Sequence, residues 1–171
     1  DDTGKVTSNN RSPRQWQAVR YAYMDARRYA DSQGLLLKGT QKIWDSSIAA
    51  IGLLWATDHA RNRAALRDYT TMVFDRFWQR QLDIENAAVI AAVLEEAGIS
   101  ASGFSDYLAG PGRYHHDQLQ EQILQAGCFG VPTFCINSET YFGRENLPIV
   151  RWHLEGEPGR IPHKAYDTVL S

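Results

Sequence analysis

The run Gly127-Cys128-Phe129-Gly130-Val131-Pro132-Thr133-Phe134-Cys135-Ile136-Asn137, followed by Tyr141-Phe142-Gly143-Arg144-Glu145-Asn146-Leu147, is the most informative stretch of the chain. Its oddity is Pro132. Val131, Thr133, Phe134 and Ile136 are β-branched or aromatic and read as a strand, yet proline cannot donate a ladder hydrogen bond. Pro132 therefore belongs at the strand's first residue. An X-Pro bond reaches the cis isomer for about 0.5–1 kcal/mol and turns the backbone sharply there, which makes Val131-Pro132 a candidate cis bond. Such a turn leaves the N–H and C=O of Val131 for an extended ligand, held by main-chain pairing whatever its side chains. Tyr141-Phe142 reads as a second strand. Gly143 then lets the chain turn into a helix expected from about Arg144 to Leu154. The first turn of that helix offers free N–H groups and a positive dipole end, to which a carboxylate binds well.

Upstream, the pattern is helical. Ser12-Pro13 is a helix start, an N-cap followed by proline in the first turn, with Trp16, Val19, Tyr23, Ala26 and Ala30 recurring at helical spacing up to a stop at Gly34. From Ser46 to Ala56 the chain is apolar nearly all round, which predicts a helix buried on most sides at the centre of a helical core. A third helix is expected over about Arg61 to Arg80, with Leu66, Tyr69, Val73, Phe74 and Phe77 facing inward. A fourth starts behind Asp83 as N-cap, carries Ala87, Ile90, Val93, Leu94 and Ala97, and stops at Gly98. Two shorter helices, near Ala101–Leu108 and His115–Ala126, are separated by the breaker Gly110-Pro111-Gly112.

Composition narrows the function classes. The 171 residues, 43% hydrophobic, suit one domain or one domain with a large insertion. A net charge of −2, with no run of Lys or Arg beside exposed aromatics, disfavours nucleic-acid and polybasic membrane partners. No apolar stretch approaches the roughly 20 residues that span a bilayer, so no membrane role is expected. Cys128 and Cys135 stand seven apart, without Cys-x-x-Cys spacing, and read as small buried hydrophobes of a reducing, cytoplasmic compartment.

Other reactive-looking residues have plainer readings. Adjacent helical residues point about 100° apart, so His115-His116-Asp117 makes no pocket alone, and His59, His153 and His163 are isolated; no metal is assigned. Glu95-Glu96 read as solvated and Ser46-Ser47 as a helix cap. Trp44, Trp55 and Trp78 are candidate walls of an aromatic substrate pocket between helices and sheet.

The opening run resembles the closing half of the DsbA-like thioredoxin clan, and most closely its branch of 2-hydroxychromene-2-carboxylate isomerases and kappa-class glutathione transferases. That branch carries a Gly-Val-Pro-Thr-Phe-like cis-proline loop and a Phe-Gly-x-Asp-Arg-Leu-like turn, which here reads Phe142-Gly143-Arg144-Glu145-Asn146-Leu147. Glu145 stands for the family's Asp on a longer arm, and Asn146 replaces its Arg. Asn10-Arg11-Ser12-Pro13 is similar to the family's Asn-x-Ser-Pro segment, and Tyr21, Asp25, Arg28 and Ala30 resemble its Tyr-x-x-x-Asp-x-x-Arg-x-Ala helix. Phe77-Trp78 before Leu82-Asp83-Ile84 is similar to its aromatic pair ahead of an Asp-Ile helix start. A family lysine between the first two motifs is missing: Ala18 or Val19 falls there, with Arg20 as a substitute nearby.

The resemblance implies an α/β, thioredoxin-like fold with a large helical insertion, here lacking the first β-α-β unit and so mostly α-helical. The expected division is a segment over 1–13, the insertion over 14–126, the cis-Pro strand-strand-helix over 127–157 and a tail over 158–171. Because the family's nucleophilic Ser or Cys lies on the missing first helix, no catalytic residue is assigned and a piece of a longer chain is expected. The function implied is a glutathione-dependent isomerase or transferase. Its thiolate would meet an electron-poor carbon of a small, aromatic electrophile. Val131 would pair with the cysteinyl part of glutathione, Pro132 would hold the loop, and Glu145 would meet the γ-glutamyl ammonium. The N–H groups around Arg144 and Glu145 would hold its carboxylate, and Asn10 would touch the tripeptide elsewhere. The resemblance also implies a homodimer, a state the family often adopts and the aromatic helices allow without demanding it. Two alternatives stand beside this: a non-catalytic relative that binds a peptide or partner protein, and a DsbA-like thiol–disulfide oxidoreductase whose Cys-x-x-Cys lies outside this chain.

Overall fold

The computed structural model of the chain describes residues 12–162. The described residues up to Asp117 form one compact unit and those from Gln118 onward a second, with the division inside a helix.

The first unit is helical. Helix α1 (Pro13–Ser32) opens with a complete capping box: Gln15 N–H donates to Ser12 Oγ at 3.3 Å and Ser12 N–H to Gln15 Oε1 at 2.7 Å. Helix α2 (Ser47–His59) buries Ala49, Ile51, Gly52, Trp55 and Ala56 and touches α3 (Arg63–Trp78), α4 (Ala87–Glu96) and α5 (Phe104–Ala109), the central place its all-round apolar sequence predicts. Tyr69, Ile90, Val93, Leu94, Ile99 and Phe104 complete the core. Gly52 is glycine because α3 and α4 come so close: a Cβ there would run into the Tyr69 hydroxyl, which donates to Ala49 O at 2.9 Å, and the Ile90 side chain.

Several boundaries differ from expectation. Helix α4 begins behind Asn86, whose Oδ1 accepts from Ala88 and Val89 N–H, while the expected cap, Asp83, accepts from Glu85 N–H one turn earlier. Helix α6 (Pro111–Gln125) begins within the expected breaker, because proline suits the first turn of a helix. Gly112, also expected to break the chain, is buried under Tyr107, where a Cβ would collide with the ring. On α1 only Ala30 is buried, and Phe74 on α3 is 59% exposed.

Residues between α1 and α2 are strapped down by arginines. Arg27 Nε donates to Leu37 O at 3.1 Å and Arg80 Nε to Gly39 O at 3.0 Å, while Lys38 N–H reaches Trp78 O at 3.0 Å. Gly39, at φ 78°, lies against the Tyr23 ring and the Arg27 guanidinium.

The second unit holds an antiparallel hairpin, β1 (Thr133–Ile136) and β2 (Glu139–Phe142), in register Thr133↔Phe142, Phe134↔Tyr141, Cys135↔Thr140, Ile136↔Glu139. Its two-residue turn places Asn137 and Ser138 both at positive φ, 51° and 67°, the backbone that matches the twist of the strands. Beyond it come a 3-10 turn over Arg144–Asn146 and helix α7 (Leu147–Leu154), whose Ile149 and Val150 are buried. The chain then folds back so that Trp152 Nε1 donates to Pro158 O at 3.2 Å.

Candidate functional site

The Val131–Pro132 peptide bond is cis. Val131 is 90% exposed, and its N–H and C=O make no backbone hydrogen bond among the described residues. Pro132 does use its carbonyl, accepting from Gly143 N–H at 2.9 Å. That bond ties the loop before β1 to the turn after β2, so Val131 lies beside the start of the last helical segment. There Gly143, at φ 102°, opens the 3-10 turn, whose first two residues are Arg144 and Glu145. The Glu145 side chain curls back over Gly143, into the space a Cβ would take. Asn146, in place of the family's arginine, is used structurally: its Nδ2 donates to Phe142 O at 2.6 Å. The structure thus brings Val131, Pro132, Arg144 and Glu145 into one corner of the second unit; Asn10 lies outside the described residues.

A second polar feature lies on the other side of the hairpin. Tyr141 donates to Glu139 Oε2 at 2.6 Å, its hydroxyl lies 3.1 Å from His153 Nε2, and His153 Nδ1 lies 3.0 Å from Glu157 Oε1. Glu139, which takes the phenol proton, pushes the Tyr141 hydroxyl above its ordinary pKa, with burial adding to the effect. His153, isolated in the sequence, therefore belongs to a four-residue chain. The hairpin pairing and the helical turn that join it are not visible in residue spacing.

The cysteines also differ from expectation. Cys128 is half-buried and Cys135 exposed, and their sulfurs lie 3.7 Å apart. They are not core hydrophobes. The loop between them doubles back through Gly130, on which Phe142 rests so closely that a Cβ would collide with the ring. Sequence spacing of seven hides that return.

In the helical unit, a cleft of about 1430 Å³ lies among α1, α2, α3 and the strapped segment. Trp16, Tyr23, Trp44, Phe74, Phe77 and Trp78 line it. Trp44 meets Phe77 edge-on at 5.8 Å, and Lys42, paired with Glu85, sits 4.4 Å above the Trp44 ring. Two of the three expected tryptophans are therefore pocket walls, Trp78 on α3 and Trp44 on the segment before α2, and the walls come from helices and that segment, not from the sheet. Trp55 is not among them: it is buried, donates to Ser100 O at 2.8 Å and stacks on His59 at 3.6 Å. The Arg27 side chain is occupied by backbone carbonyls, whereas the side chain of the cleft residue Arg20 makes no hydrogen bond or ion pair among the described residues.

Glu95, Glu96 and Asp45 are tied into structural contacts. Glu96 grips Arg76 in a fork at 2.5 and 2.8 Å, and Glu95 Oε1 accepts from Ala101 N–H at 2.6 Å. Ser46 is the N-cap residue of α2, as expected, but its side chain makes no capping bond; Asp45 Oδ1 instead accepts from Ser47 N–H at 2.9 Å. Among the described residues no three His, Cys, Asp or Glu side chains gather to hold a metal ion, and no helix is long and apolar enough to cross a membrane.

Comparison with known proteins gives a consistent picture. The family described as DSBA-like thioredoxin domain matches residues 2–155. A 2-hydroxychromene-2-carboxylate isomerase of Sphingobium xenophagum is 21% identical over 97 residues, 56% of this chain and 50% of that protein, so the chain spans about half the length of this curated relative. Among solved structures, a 2-hydroxychromene-2-carboxylate isomerase superposes with a TM-score of 0.70 at 21% identity, over 95% of this chain and 75% of the other, which shows a shared fold.

Proposed function

Since the chain belongs to the DSBA-like thioredoxin family, we propose that it serves a glutathione-dependent isomerase or transferase of the 2-hydroxychromene-2-carboxylate isomerase type, acting on a small aromatic electrophile. The observation that carries this reading is the Gly143–Pro132 hydrogen bond, which sets the backbone of Val131 beside the first turn of the last helical segment, with the N–H groups of Arg144 and Glu145. The donor set fits the tripeptide. Val131 offers a donor and an acceptor to an extended backbone, the two N–H groups offer an anion site, and the Glu145 carboxylate suits an ammonium.

When bound, glutathione supplies a thiol nucleophile. The residues of this chain bind and orient. Val131 fixes the direction of the peptide, Glu145 holds its amino end by a charge-assisted hydrogen bond, and the N–H pair holds a carboxylate. The aromatic cleft of the helical unit supports the second half of the proposal, an aromatic substrate. Trp44, Phe77 and Trp78, set edge to face, give apolar walls of ring faces and edges, and Arg20 provides a cation for an anionic substituent.

The test is calorimetric titration of glutathione into the natural, full-length protein and its Glu145→Ala variant. Saturable binding, weakened tenfold or more by the substitution, supports the reading. Absence of saturable binding by the folded natural protein overturns it.

A further inference from the structure

We propose that Cys128 and Cys135 form an oxidisable dithiol, a modification site that reacts with low-molecular-weight disulfides and closes into an intramolecular disulfide across the loop before β1.

The geometry carries this. The two sulfurs are in contact at 3.7 Å and both are free thiols, one half-buried and one exposed. A disulfide needs about 2.05 Å, a closure of about 1.7 Å that lies within reach of side-chain torsions. Both ends of the loop are held. Cys128 N–H donates to Ile123 O at 3.1 Å at the end of α6, and Cys135 sits in the β1–β2 ladder opposite Thr140. Between them, Thr133 Oγ1 donates to Gly130 O at 2.5 Å, and Phe129 packs on Phe142 at 4.7 Å. Strand alternation puts Cys135 on the same face as Phe142, and the Phe129–Phe142 contact draws the preceding Cys128 to that face. The contact of the sulfurs is thus a product of the hairpin, not a chance approach of two mobile side chains.

The chemistry balances as thiol–disulfide exchange. The exposed Cys135, as thiolate, attacks one sulfur of the incoming disulfide and expels a thiolate, leaving a mixed disulfide on Cys135. Cys128, as thiolate, attacks the Cys135 sulfur and expels the second thiolate. The two cysteine protons end on the two released thiols; the protein is oxidised by two electrons and the small disulfide reduced by two. Contact with Cys135, together with burial, holds the Cys128 thiol of the reduced pair above its ordinary pKa, so the first attack falls to the exposed Cys135. The ring so closed contains Val131 and Pro132. That its state also sets the pairing edge offered to glutathione rests on the reading proposed above, whereas the dithiol itself does not.

Intact mass and non-reducing peptide mapping, after incubation with bis(2-hydroxyethyl) disulfide or glutathione disulfide, test the proposal. Expected is loss of two hydrogens, loss of both alkylatable thiols and one cross-linked peptide joining Cys128 to Cys135, reversed by a dithiol reductant. Cys128→Ser is expected to stop at a mixed disulfide on Cys135, and Cys135→Ser to react at least tenfold more slowly. Two thiols that persist at equilibrium in the wild-type chain, stable mixed disulfides on both cysteines, or disulfides only between chains would overturn it. Closure by bis(2-hydroxyethyl) disulfide in a protein that fails to bind glutathione would uphold the dithiol while removing the glutathione reading.

Discussion

Val131 joins the sequence reading and the proposed site most directly. A β-branched residue before proline at a strand's mouth is legible as an exposed, unpaired peptide unit, and its 90% exposure agrees. The partner of that unit is less legible. Glu145 stands fourteen residues on, and only the Gly143–Pro132 hydrogen bond sets it beside the loop. If Glu145 meets an ammonium, Glu145→Gln keeps the shape and loses the charge. It should raise the glutathione Kd by about tenfold, or about 1.4 kcal/mol, with little change in Tm, as calorimetry and thermal melts would read. Tyr69 gives a second prediction. Gly52→Ala drives a methyl against its hydroxyl and should cost about 1–3 kcal/mol in urea unfolding. The cysteine contact could not be read from spacing, because it depends on a loop doubling back through Gly130 under an aromatic ring.

The helices show which signals are strong. Ser12-Pro13 with Gln15 is a complete local motif, and α1 begins there. Ser12→Ala removes one of its two reciprocal bonds and should cost about 0.5–2 kcal/mol of local stability, read as faster amide exchange in the first turns of α1. Competing caps were less legible: Asp83 and Asn86 both suit a helix start, and only the latter reaches two N–H groups of α4. Gly110-Pro111-Gly112 read as a break because glycine and proline are weak inside helices, but proline at the first position starts α6. Trp16 and Tyr23 recur at helical spacing on α1, and Phe74 and Phe77 are expected to face inward on α3, yet all four line a cleft. Periodicity identifies the apolar face of a helix without saying whether protein or a cavity lies opposite it.

Taken together, the chain has the thioredoxin-like fold of its family, with most of its described residues in helices and a two-stranded sheet. Its stability should depend on pH at both extremes. Lys42 and Arg76 hold Glu85 and Glu96 below the ordinary carboxylate value, so their contributions are present above about pH 4.5 and are lost as pH falls through that value toward the folded ones. Tm should therefore fall in acid, and Glu96→Gln should flatten the slope. Burial raises the Tyr69 pKa above 10.0; its contribution is complete below that pH and lost as pH rises through it and on through the folded value, so Tyr69→Phe should resist alkaline unfolding better than the parent does. The tryptophans also divide the molecule optically. Trp16, Trp44, Trp55 and Trp78 belong to the helical unit, and Trp152 alone to the hairpin unit. Replacing Trp152 by phenylalanine, and subtracting that variant's emission from the parent's, would isolate a single indole's spectrum. The hairpin unit thus carries its own fluorophore, and ligand binding or unfolding there can be followed without any added dye.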